Sequence, residues 1–556
     1  MQRIPVICFF FLSFVLKLWM AAFIPVNADA GIYLNDAILF GEGKRPYLNN
    51  FISRDPVYLF LLSLSLRIFG NSLLSGRILS VIMSTLSGIF LYKIVKMISD
   101  KKQALVSLFI YSFYPFFMWW GSEIKTEYTS YFFISAGIYF LLKGHLKNNK
   151  WDFFIGGMMG ALAHFSRESF LAVFLAIIFW LFYQNIIDED LNVRRCVEEI
   201  ILFVTSYLIF LLLISGLIYG RNIFSKKFFT LVLPSLTKFD FIPYYLKGGI
   251  YPAGEELSMF RKILNAIWRM RFWSIDIIKY FSLYLLGIFG FICLYLKMKK
   301  TLFLVIGLYL ISTIYTVIRA QFPLLIPLQL LSFSIIILYL FLSTERILNL
   351  KKEGASLLLL WMLCLFFGYS FFNYNIVYNN DFSLPISAIS GIIIVSIPLN
   401  SFFKKVIGII FYVVCFIQPI TYFLITNGGD PRDINLQKAK VVAEKIKNFV
   451  PPHEEVFTAD YLVLFLAQRP PFMKINNPYP YCNNGKDFYM FYQYSIPPPS
   501  IFIEMVEKKA NFILLEPRCT IWCYKGLKLM EKIHNNFEEI WSYEDYSIRR
   551  RKNFNQ

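Results

Sequence analysis

The chain has 556 residues, of which 57% are hydrophobic and only 16% are charged. Soluble domains carry roughly 25% charged residues, so a soluble globular enzyme is excluded for most of the chain. Aromatic residues make up 19% of the chain, which suits a protein that meets lipid along much of its surface. The composition also excludes a disordered chain and a fibrous repeat.

The formal net charge is +19, so the positions of the basic residues decide whether a nucleic-acid partner is expected. Most of them stand in short connections between apolar runs, which is the positive-inside pattern of a membrane protein. We therefore expect cytoplasmic lysine-rich loops, a cytoplasmic N-terminus and no nucleic-acid partner. The basic connections contain Lys101 and Lys102, Lys143, Lys147 and Lys150, Arg194 and Arg195, Lys297, Lys299 and Lys300, Lys351 and Lys352, and Lys404 and Lys405.

Apolar stretches long enough to cross a bilayer as helices recur along the chain. We predict about thirteen such spans, and hence an all-α polytopic membrane protein over residues 1–426. The first span has no Ala-x-Ala type cleavage site after it and is interpreted as a retained anchor. The predicted spans are 5–24, 76–98, 103–120, 127–142, 153–166, 169–185, 198–219, 277–296, 301–318, 322–343, 356–376, 384–400 and 404–425.

Three segments are predicted to lie outside the cytoplasm. Residues 25–75 contain the apolar run Pro56 to Phe69, which is too short to span and is interrupted by Arg67, so it predicts an interfacial helix. Residues 220–275 mix basic and aromatic residues and are predicted to lie on the membrane surface. Residues 427–556 regain charges, Pro and Asn, which predicts a soluble extracytoplasmic α/β domain.

The pattern of residues 427–556 alternates helical and strand-like stretches. It has no nucleotide-binding glycine fingerprint, so we do not assign the chemistry to it. The pairing of Cys482, Cys519 and Cys523 cannot be deduced from their spacing. The predicted elements are a helix from Leu436 to Phe449, a strand from Val456 to Ala459, a helix around Leu462, a helix from Ser500 to Lys509, the buried strand NFILLEP, a helix from Lys525 to Asn535 and a strand around Ile540 to Arg550.

Ionisable side chains next to hydrocarbon are costly, so they are functional hypotheses by default. The span count places one set of them at the outer face, and this set suits transfer of a sugar from a lipid-linked phosphate to a hydroxyl. The leaving phosphate needs neutralisation, which arginine provides, and the attacking hydroxyl needs a carboxylate base. The set contains Asp29, Asp36, Arg54, Asp55, Glu123, Glu127, Arg167, Glu168 and Arg319. Asp29 is the candidate base, and Arg167 and Arg319 are the candidate phosphate ligands.

The stretch from Asp29 through Arg77, with Tyr33, GEGKRPY, RDPVYLFLLSLSLRIFG and NSLLSGR, resembles the GT-C superfamily of polyprenyl-phosphate-sugar glycosyltransferases. It looks nearest the branch of protein O-mannosyltransferases and lipid A aminoarabinose transferases. The resemblance implies that Asp29 is catalytic and that Glu127 is the second acidic residue of the site. It also implies that Arg167, followed by Glu168, is the basic residue after span 5, and that Arg319 is the late arginine, although Ala320 replaces its usual aromatic neighbour.

The oligosaccharyltransferase signature WWDxG is missing, because Trp119 and Trp120 are followed by Gly121 and Ser122. Simpler interpretations stand beside the functional ones. Asp29 could cap a helix, and Glu127 could be a first-turn acid that competes with Glu123 on one helical face. Arg167 and Glu168 could form a local ion pair or have separate partners. Asp55 before Pro56 could be a helix start.

A divalent cation shared by Asp29 and Asp55 is the one cofactor considered; no cofactor is certain. The chain has only 4 His, which are widely separated, so a clustered zinc site is not expected. His164, one turn before Arg167, is better interpreted as a core histidine than as a ligand.

The sequence thus predicts a multi-pass cell-membrane glycosyltransferase that inverts the transferred sugar. Asp29 acts as base, Glu127 positions the acceptor or base, and Arg167 and Arg319 hold the phosphate. Tyr33, Arg54, Asp55 and Glu168 complete the predicted substrate site. The predicted partners are a polyprenyl-phosphate-linked sugar donor, membrane lipid, and a glycolipid, glycan or protein hydroxyl acceptor. The alternatives are a receptor-like membrane protein and a transporter or lipid flippase, which would usually show internal repeats that are not found here.

Overall fold

The computed structural model describes residues 4–46 without 25 and 28, 55–224 without 168, 169 and 188–192, 357–361 without 359, 383–396, 436–474 without 459, 499–516 and 529–554. Helices dominate the described residues up to 224. A four-stranded sheet lies among the described residues near the C-terminus. The described fold is therefore mainly helical.

The first apolar span is helix α1 (Ile4–Phe23), in agreement with the predicted span 5–24. Phe11, Trp19 and Phe23 are exposed along it, as expected of a helix that faces lipid. Arg77 Nη1 donates to Ala21 O at 2.8 Å and its Nη2 donates to Ile24 O at 3.0 Å. A guanidinium at this place satisfies carbonyls at the helix C-terminus and complements the helix dipole.

The predicted outer segment 25–75 contains two helices. Helix α2 (Asp29–Gly41) was not predicted as an element, whereas helix α3 (Pro56–Phe69) coincides with the predicted interfacial run. Proline occupies the first turn of α3, where its missing N–H costs nothing. One side of α3 packs into the core through Leu59, Leu62 and Leu66, and the other side exposes Phe60, Leu64 and Ile68.

The next two predicted spans form three helices, α4 (Leu73–Ile98), α5 (Lys101–Phe113) and α6 (Pro115–Gly121). Asp100 and Gln103 form a reciprocal capping box that fixes the start of α5 directly after the turn from α4. The predicted span 103–120 is broken because Pro115 lacks an N–H and clashes with the preceding turn. Tyr114, before the proline, is extended, as expected at that position.

Four further helices follow the predicted spans to residue 224. They are α7 (Thr126–Lys147), α8 (Lys150–His164), α9 (Phe170–Ile187) and α10 (Val193–Tyr219), and a short 3₁₀ helix, Gly220–Phe224, follows α10. Helix α11 (Ser383–Ser396) overlaps the predicted span 384–400 and begins one residue before it. The spans 277–296, 301–318, 322–343 and 404–425 lie outside the described residues, as do most of 356–376 and the surface segment beyond residue 224.

Helices α7, α8 and α10 approach closely because glycines stand where they cross. A Cβ at Gly156 would lie 2.7 Å from Leu141 Cγ of α7. A Cβ at Gly157 would lie 2.5 Å from Phe203 O of α10. Small residues are the usual means by which membrane helices bring their backbones together.

Three helical stretches of the described chain are long and apolar enough to cross a membrane: Val6–Phe23, Leu73–Ile98 and Arg194–Phe224.

The end of the bundle where α7 and α8 are joined has its own ion pairs. Lys143 Nζ lies 2.7 Å from Asp152 Oδ1, and His145 Nδ1 lies 3.0 Å from Glu199 Oε2. Since α7 begins at the other end, residues near Thr126 and His164 face the opposite side from these pairs. The total of thirteen spans stays a prediction.

The described C-terminal residues combine helices with a sheet of strand order β1-β2-β4-β3. The predicted helix from Leu436 to Phe449 is present with those bounds, and the predicted single strand around Ile540 to Arg550 is wrong. It is a β-hairpin, because Glu544 adopts a positive φ of 50° and turns the chain. The elements are α12 (Leu436–Phe449), β1 (Val456–Phe457), α13 (Tyr461–Ala467), α14 (Pro499–Lys509), β2 (Phe512–Leu515), α15 (Leu529–Asn536), β3 (Phe537–Tyr543) and β4 (Tyr546–Arg551).

Helix α13 packs on α2. Asn35 Nδ2 donates to Tyr461 O and to Gly31 O, both at 2.8 Å. A Cβ at Gly31 would lie only 2.2 Å from Leu462 N, so only glycine permits this backbone approach. The C-terminal residues are thereby attached to the helix that begins with Asp29.

Candidate active site

Asp29 begins helix α2 directly after α1. Its backbone N–H donates to Asn27 Oδ1 at 3.0 Å, so an asparagine side chain caps this helix start. The Asp29 carboxylate faces Lys125, with 3.7 Å between Asp29 Oδ2 and Lys125 Nζ. The Asp29 side chain is 23% exposed, whereas the Lys125 side chain is 0% exposed. One side of the Asp29 carboxylate thus faces the buried Lys125 ammonium, and the other side is accessible to solvent.

Glu127 lies in the first turn of α7 and pairs with Arg167, which follows α8. Arg167 Nη1 lies 2.8 Å from Glu127 Oε1, and the two side chains are 11% and 4% exposed. Arg167 therefore has a partner other than its neighbour Glu168. Glu127 is a first-turn acid by position, and it is also half of a buried ion pair.

Glu123 does not share a helical face with Glu127, because α7 begins only at Thr126. The predicted competition between the two acids on one face is wrong. Glu123 Oε1 instead lies 3.2 Å from Arg77 Nη2, beside the end of α1. Its carboxylate joins α4 to the connection between α6 and α7.

Lys125 is the residue of this site that the sequence did not single out. Residue 125 has extended backbone angles, φ −142° and ψ 140°, and directly precedes α7. The Lys125 ammonium lies 4.9 Å from the centre of the Trp120 ring, within the range of a cation–π contact. The signal in the sequence was the alternation of charges in SEIKTE. Its three charged residues contact Arg77 on α4, Asp29 on α2 and Arg167 after α8.

Tyr33 and Asp55 belong to the same end of the bundle. The buried Tyr33 ring meets the Tyr58 ring edge to face, with centroids 5.7 Å apart. Asp55 is buried and stands before Pro56, but its side chain makes no capping hydrogen bond at the start of α3. Val57 N donates to Phe165 O at 3.0 Å, which places the start of α3 beside the turn that leads to Arg167.

Arg54, Glu168 and Arg319 lie outside the described residues. Within the residues that the structure does describe, no group of three or more His, Cys, Asp or Glu side chains could hold a metal ion. At Asp29 the nearby positive charge is the Lys125 ammonium, which would repel a dication. The described residues therefore do not fit a cation bound at Asp29.

His164 is a core histidine, as the sequence suggested. It is buried, and its Nδ1 lies 2.5 Å from the Tyr207 hydroxyl.

The connections made by Glu123, Lys125 and Glu127 bring the starts of α2, α4 and α7 and the end of α8 together. This end of the bundle combines the accessible Asp29 carboxylate with the buried guanidinium of Arg167, groups that can accept a proton and stabilise an anion.

The family model described as dolichyl-phosphate-mannose-protein mannosyltransferase matches residues 53–220. These residues include Asp55, Glu127 and Arg167. No curated protein matches the chain.

Solved structures are similar over nearly the whole chain. The oligosaccharyltransferase of Archaeoglobus fulgidus in its apo form has 11% identity and a TM-score of 0.52, covering 96% of this chain and 72% of that chain. The same enzyme in complex with Zn and sulfate has 12% identity and a TM-score of 0.51, covering 96% and 71%. ArnT from Cupriavidus metallidurans, bound to undecaprenyl phosphate, has 10% identity and a TM-score of 0.46, covering 99% and 98%.

The family match confirms the predicted resemblance over residues 53–220, and the chain shares the fold of the archaeal oligosaccharyltransferase. It is a multi-pass membrane protein.

Proposed function

We propose that the chain is an integral membrane glycosyltransferase. It moves a sugar from a polyprenyl-phosphate donor to a hydroxyl acceptor at the outer leaflet. The observation that carries this proposal is the partly exposed Asp29 carboxylate beside the buried ion pair of Glu127 and Arg167. The family match supports it, since that family is described by dolichyl-phosphate-mannose, a polyprenyl-phosphate sugar.

Asp29 is the general base. The acceptor hydroxyl gives its proton to the Asp29 carboxylate while its oxygen attacks the anomeric carbon. The bond between that carbon and the phosphate oxygen breaks, and the polyprenyl phosphate leaves with the electron pair. A single displacement of this kind inverts the configuration at the anomeric carbon.

Arg167 stabilises the phosphate that leaves. A guanidinium group keeps its charge and can bind phosphate through two donors. Because Glu127 contacts Arg167, its proposed role is to orient that guanidinium. Arg319 remains a proposed second phosphate ligand, and Tyr33, Arg54, Asp55 and Glu168 remain proposed substrate-site residues.

The proposed mechanism does not use a divalent cation at Asp29 and Asp55, because the Lys125 ammonium beside Asp29 would repel it. No step is assigned to a metal. The acceptor is a glycolipid, a glycan or a protein hydroxyl, each of which presents the same attacking group.

The proposed division of the chain is a transmembrane domain of residues 1–426 with about thirteen spans and an extracytoplasmic α/β domain of residues 427–556. Contact between Asn35 and Tyr461 supports this placement, because it keeps the C-terminal residues on the side of Asp29. A cysteine at Ile501, which is exposed, should react with a membrane-impermeant maleimide added to intact cells. Reaction only after lysis would contradict the extracytoplasmic placement.

The decisive experiment incubates the purified full-length protein with labelled polyprenyl-phosphate sugars and a native lipid extract, and locates the label by mass. We expect rapid labelling of an acceptor with the wild type and only a small residual rate with Asp29→Asn, which keeps the size of the side chain, because a positioned base contributes roughly 10²- to 10⁴-fold. Glu198→Gln is the matched control, since Glu198 is an exposed acid at the other end of the bundle. Normal turnover by a folded Asp29→Asn protein would refute the base assignment.

A transporter or lipid flippase is the second candidate. It shares the need for buried charges in a membrane. The same preparation in sealed vesicles separates the two functions: movement of the labelled lipid across the bilayer without any transfer of its sugar would favour the transporter.

A further inference from the structure

We infer that Lys125 is a positioning residue for the Asp29 carboxylate, an inference that rests on the proposed function. The observation is the juxtaposition of the two groups, with 3.7 Å between Lys125 Nζ and Asp29 Oδ2. The Lys125 side chain is 0% exposed and the Asp29 side chain is 23% exposed. A substrate that arrives from solvent can therefore touch the carboxylate and not the ammonium, so Lys125 acts through Asp29.

The ammonium is fixed from two directions. It lies 4.9 Å from the centre of the Trp120 ring, a cation–π contact that gains strength away from water. The backbone of Lys125 is extended just before α7, and its N–H donates to Ser80 Oγ at 3.5 Å. Trp120 lies on α6 and Ser80 on α4, so the position of the charge is set by the packing of these two helices against the residue that precedes α7.

A base must be charged and correctly oriented before the acceptor binds. The buried positive charge of Lys125 attracts the Asp29 carboxylate across 3.7 Å and thereby holds its orientation. At 3.7 Å the attraction orients Asp29 without a short hydrogen bond, so the exposed part of the carboxylate keeps its lone pairs for the acceptor proton. Loss of Lys125 should therefore slow the chemical step rather than weaken donor binding.

The test is a double-mutant cycle with the donor that is active in the transfer assay. Lys125→Met keeps the length of the side chain and removes its charge. We expect kcat to fall by about 10- to 100-fold, part of what a positioned base contributes, with a donor KM within about twofold of the wild type. In the Asp29→Asn background, Lys125→Met should change the residual rate by less than about twofold.

A second variant keeps the inference testable if Lys125→Met fails to fold. Trp120→Leu retains the lysine and removes the ring that holds its ammonium, so kcat should fall with Asp29 present and not in Asp29→Asn. For either variant, an equal loss in both backgrounds would overturn the inference, as would a raised donor KM with unchanged kcat, which marks a phosphate ligand. Normal turnover of Asp29→Asn alone would instead overturn the base assignment of the proposed function.

Discussion

Arg167 and Glu127 form a buried ion pair, with 2.8 Å between Arg167 Nη1 and Glu127 Oε1. The pair joins the residues after α8 to the first turn of α7, two positions that are 40 residues apart in the sequence. The sequence predicts a separate role for each residue, Glu127 as an acid of the site and Arg167 as a phosphate ligand. Their contact means that neither charge can be changed without changing the environment of the other.

Removal of one member of this pair should destabilise the protein more than removal of both. Glu127→Gln or Arg167→Met leaves a buried charge without its partner, at a cost of about 3–5 kcal/mol. The double variant Glu127→Leu with Arg167→Met removes both charges and should recover part of that loss. Thermal unfolding in detergent measures the order of the Tm values.

The control for this series is Glu198→Gln, which breaks an exposed pair with Lys150. Exposed pairs contribute little, so its Tm should match the wild type. Single variants of Glu127 and Arg167 that also melt with the wild type would contradict the buried pair.

Helix α3 should lie in the outer interface of the membrane with Phe60, Leu64 and Ile68 toward lipid. These apolar side chains are exposed on one face while the opposite face is packed in the core, an arrangement that suits an interfacial helix. Nitroxide labels on single cysteines at Phe60 and Leu64, in a cysteine-depleted background, should collide more with oxygen than with a water-soluble nickel chelate.

A label at Glu544, on the exposed hairpin turn, supplies the aqueous reference and should show the opposite preference. Preferential collision of the α3 labels with the nickel chelate would place this face in water and contradict the interfacial helix.

The bounds of α3 were readable from sequence because local chemistry sets them: Pro56 opens the helix and Gly70, with φ +86°, closes it. Helix α2 was missed because much of what holds it is distant. Asn35 bonds to Tyr461 O, a partner that no local pattern reveals. The break at Pro115 was within reach of the sequence, but the apolar length of 103–120 outweighed it.

The candidate site divides in the same way. Asp29, Glu127 and Arg167 were found because each charge stands beside an apolar run. The pairing of these residues could not be predicted from local sequence. An ion pair between α2 and the residue before α7, for example, depends on how the helices pack. Lys125 is not indicated by any local pattern, because its proposed role follows from the groups that lie next to it. The shared helix face predicted for Glu123 does not exist, because α7 begins only at Thr126.

Attachment of α13 to α2 should require the absence of a side chain at Gly31. In Gly31→Ala the new Cβ would lie 2.2 Å from Leu462 N, so one helix must move. Overpacking of this kind costs about 1–3 kcal/mol, and the shift would displace Asp29 two residues away. We expect a lower Tm and a reduced transfer rate.

Gly216→Ala is the matched control on α10, where the nearest atom to the new Cβ, Ile223 Cδ1, is 4.0 Å away. Alanine favours a helix over glycine, so this variant should melt at or above the wild-type temperature. Equal Tm values and transfer rates for Gly31→Ala and the wild type would show that α13 does not rest on α2 at this point.

Contact between α8 and α10 should depend on Gly157 in the same way. A Cβ at residue 157 would lie 2.5 Å from Phe203 O and 2.8 Å from Tyr207 N, and backbone atoms cannot rotate aside as a side chain can. Gly157→Ala should therefore lower Tm by separating the two helices, since close backbone approach gives membrane helices their packing contacts. Gly137→Ala on α7 is the comparison, because its Cβ would lie 3.4 Å from Gly156 O, an ordinary contact. If the two alanine variants have the same Tm, the crossing of α8 and α10 is looser than the structure describes. A large drop in Tm for Gly157→Ala alone supports the helix packing that places His164 and Arg167 at the end of the bundle where Asp29 lies.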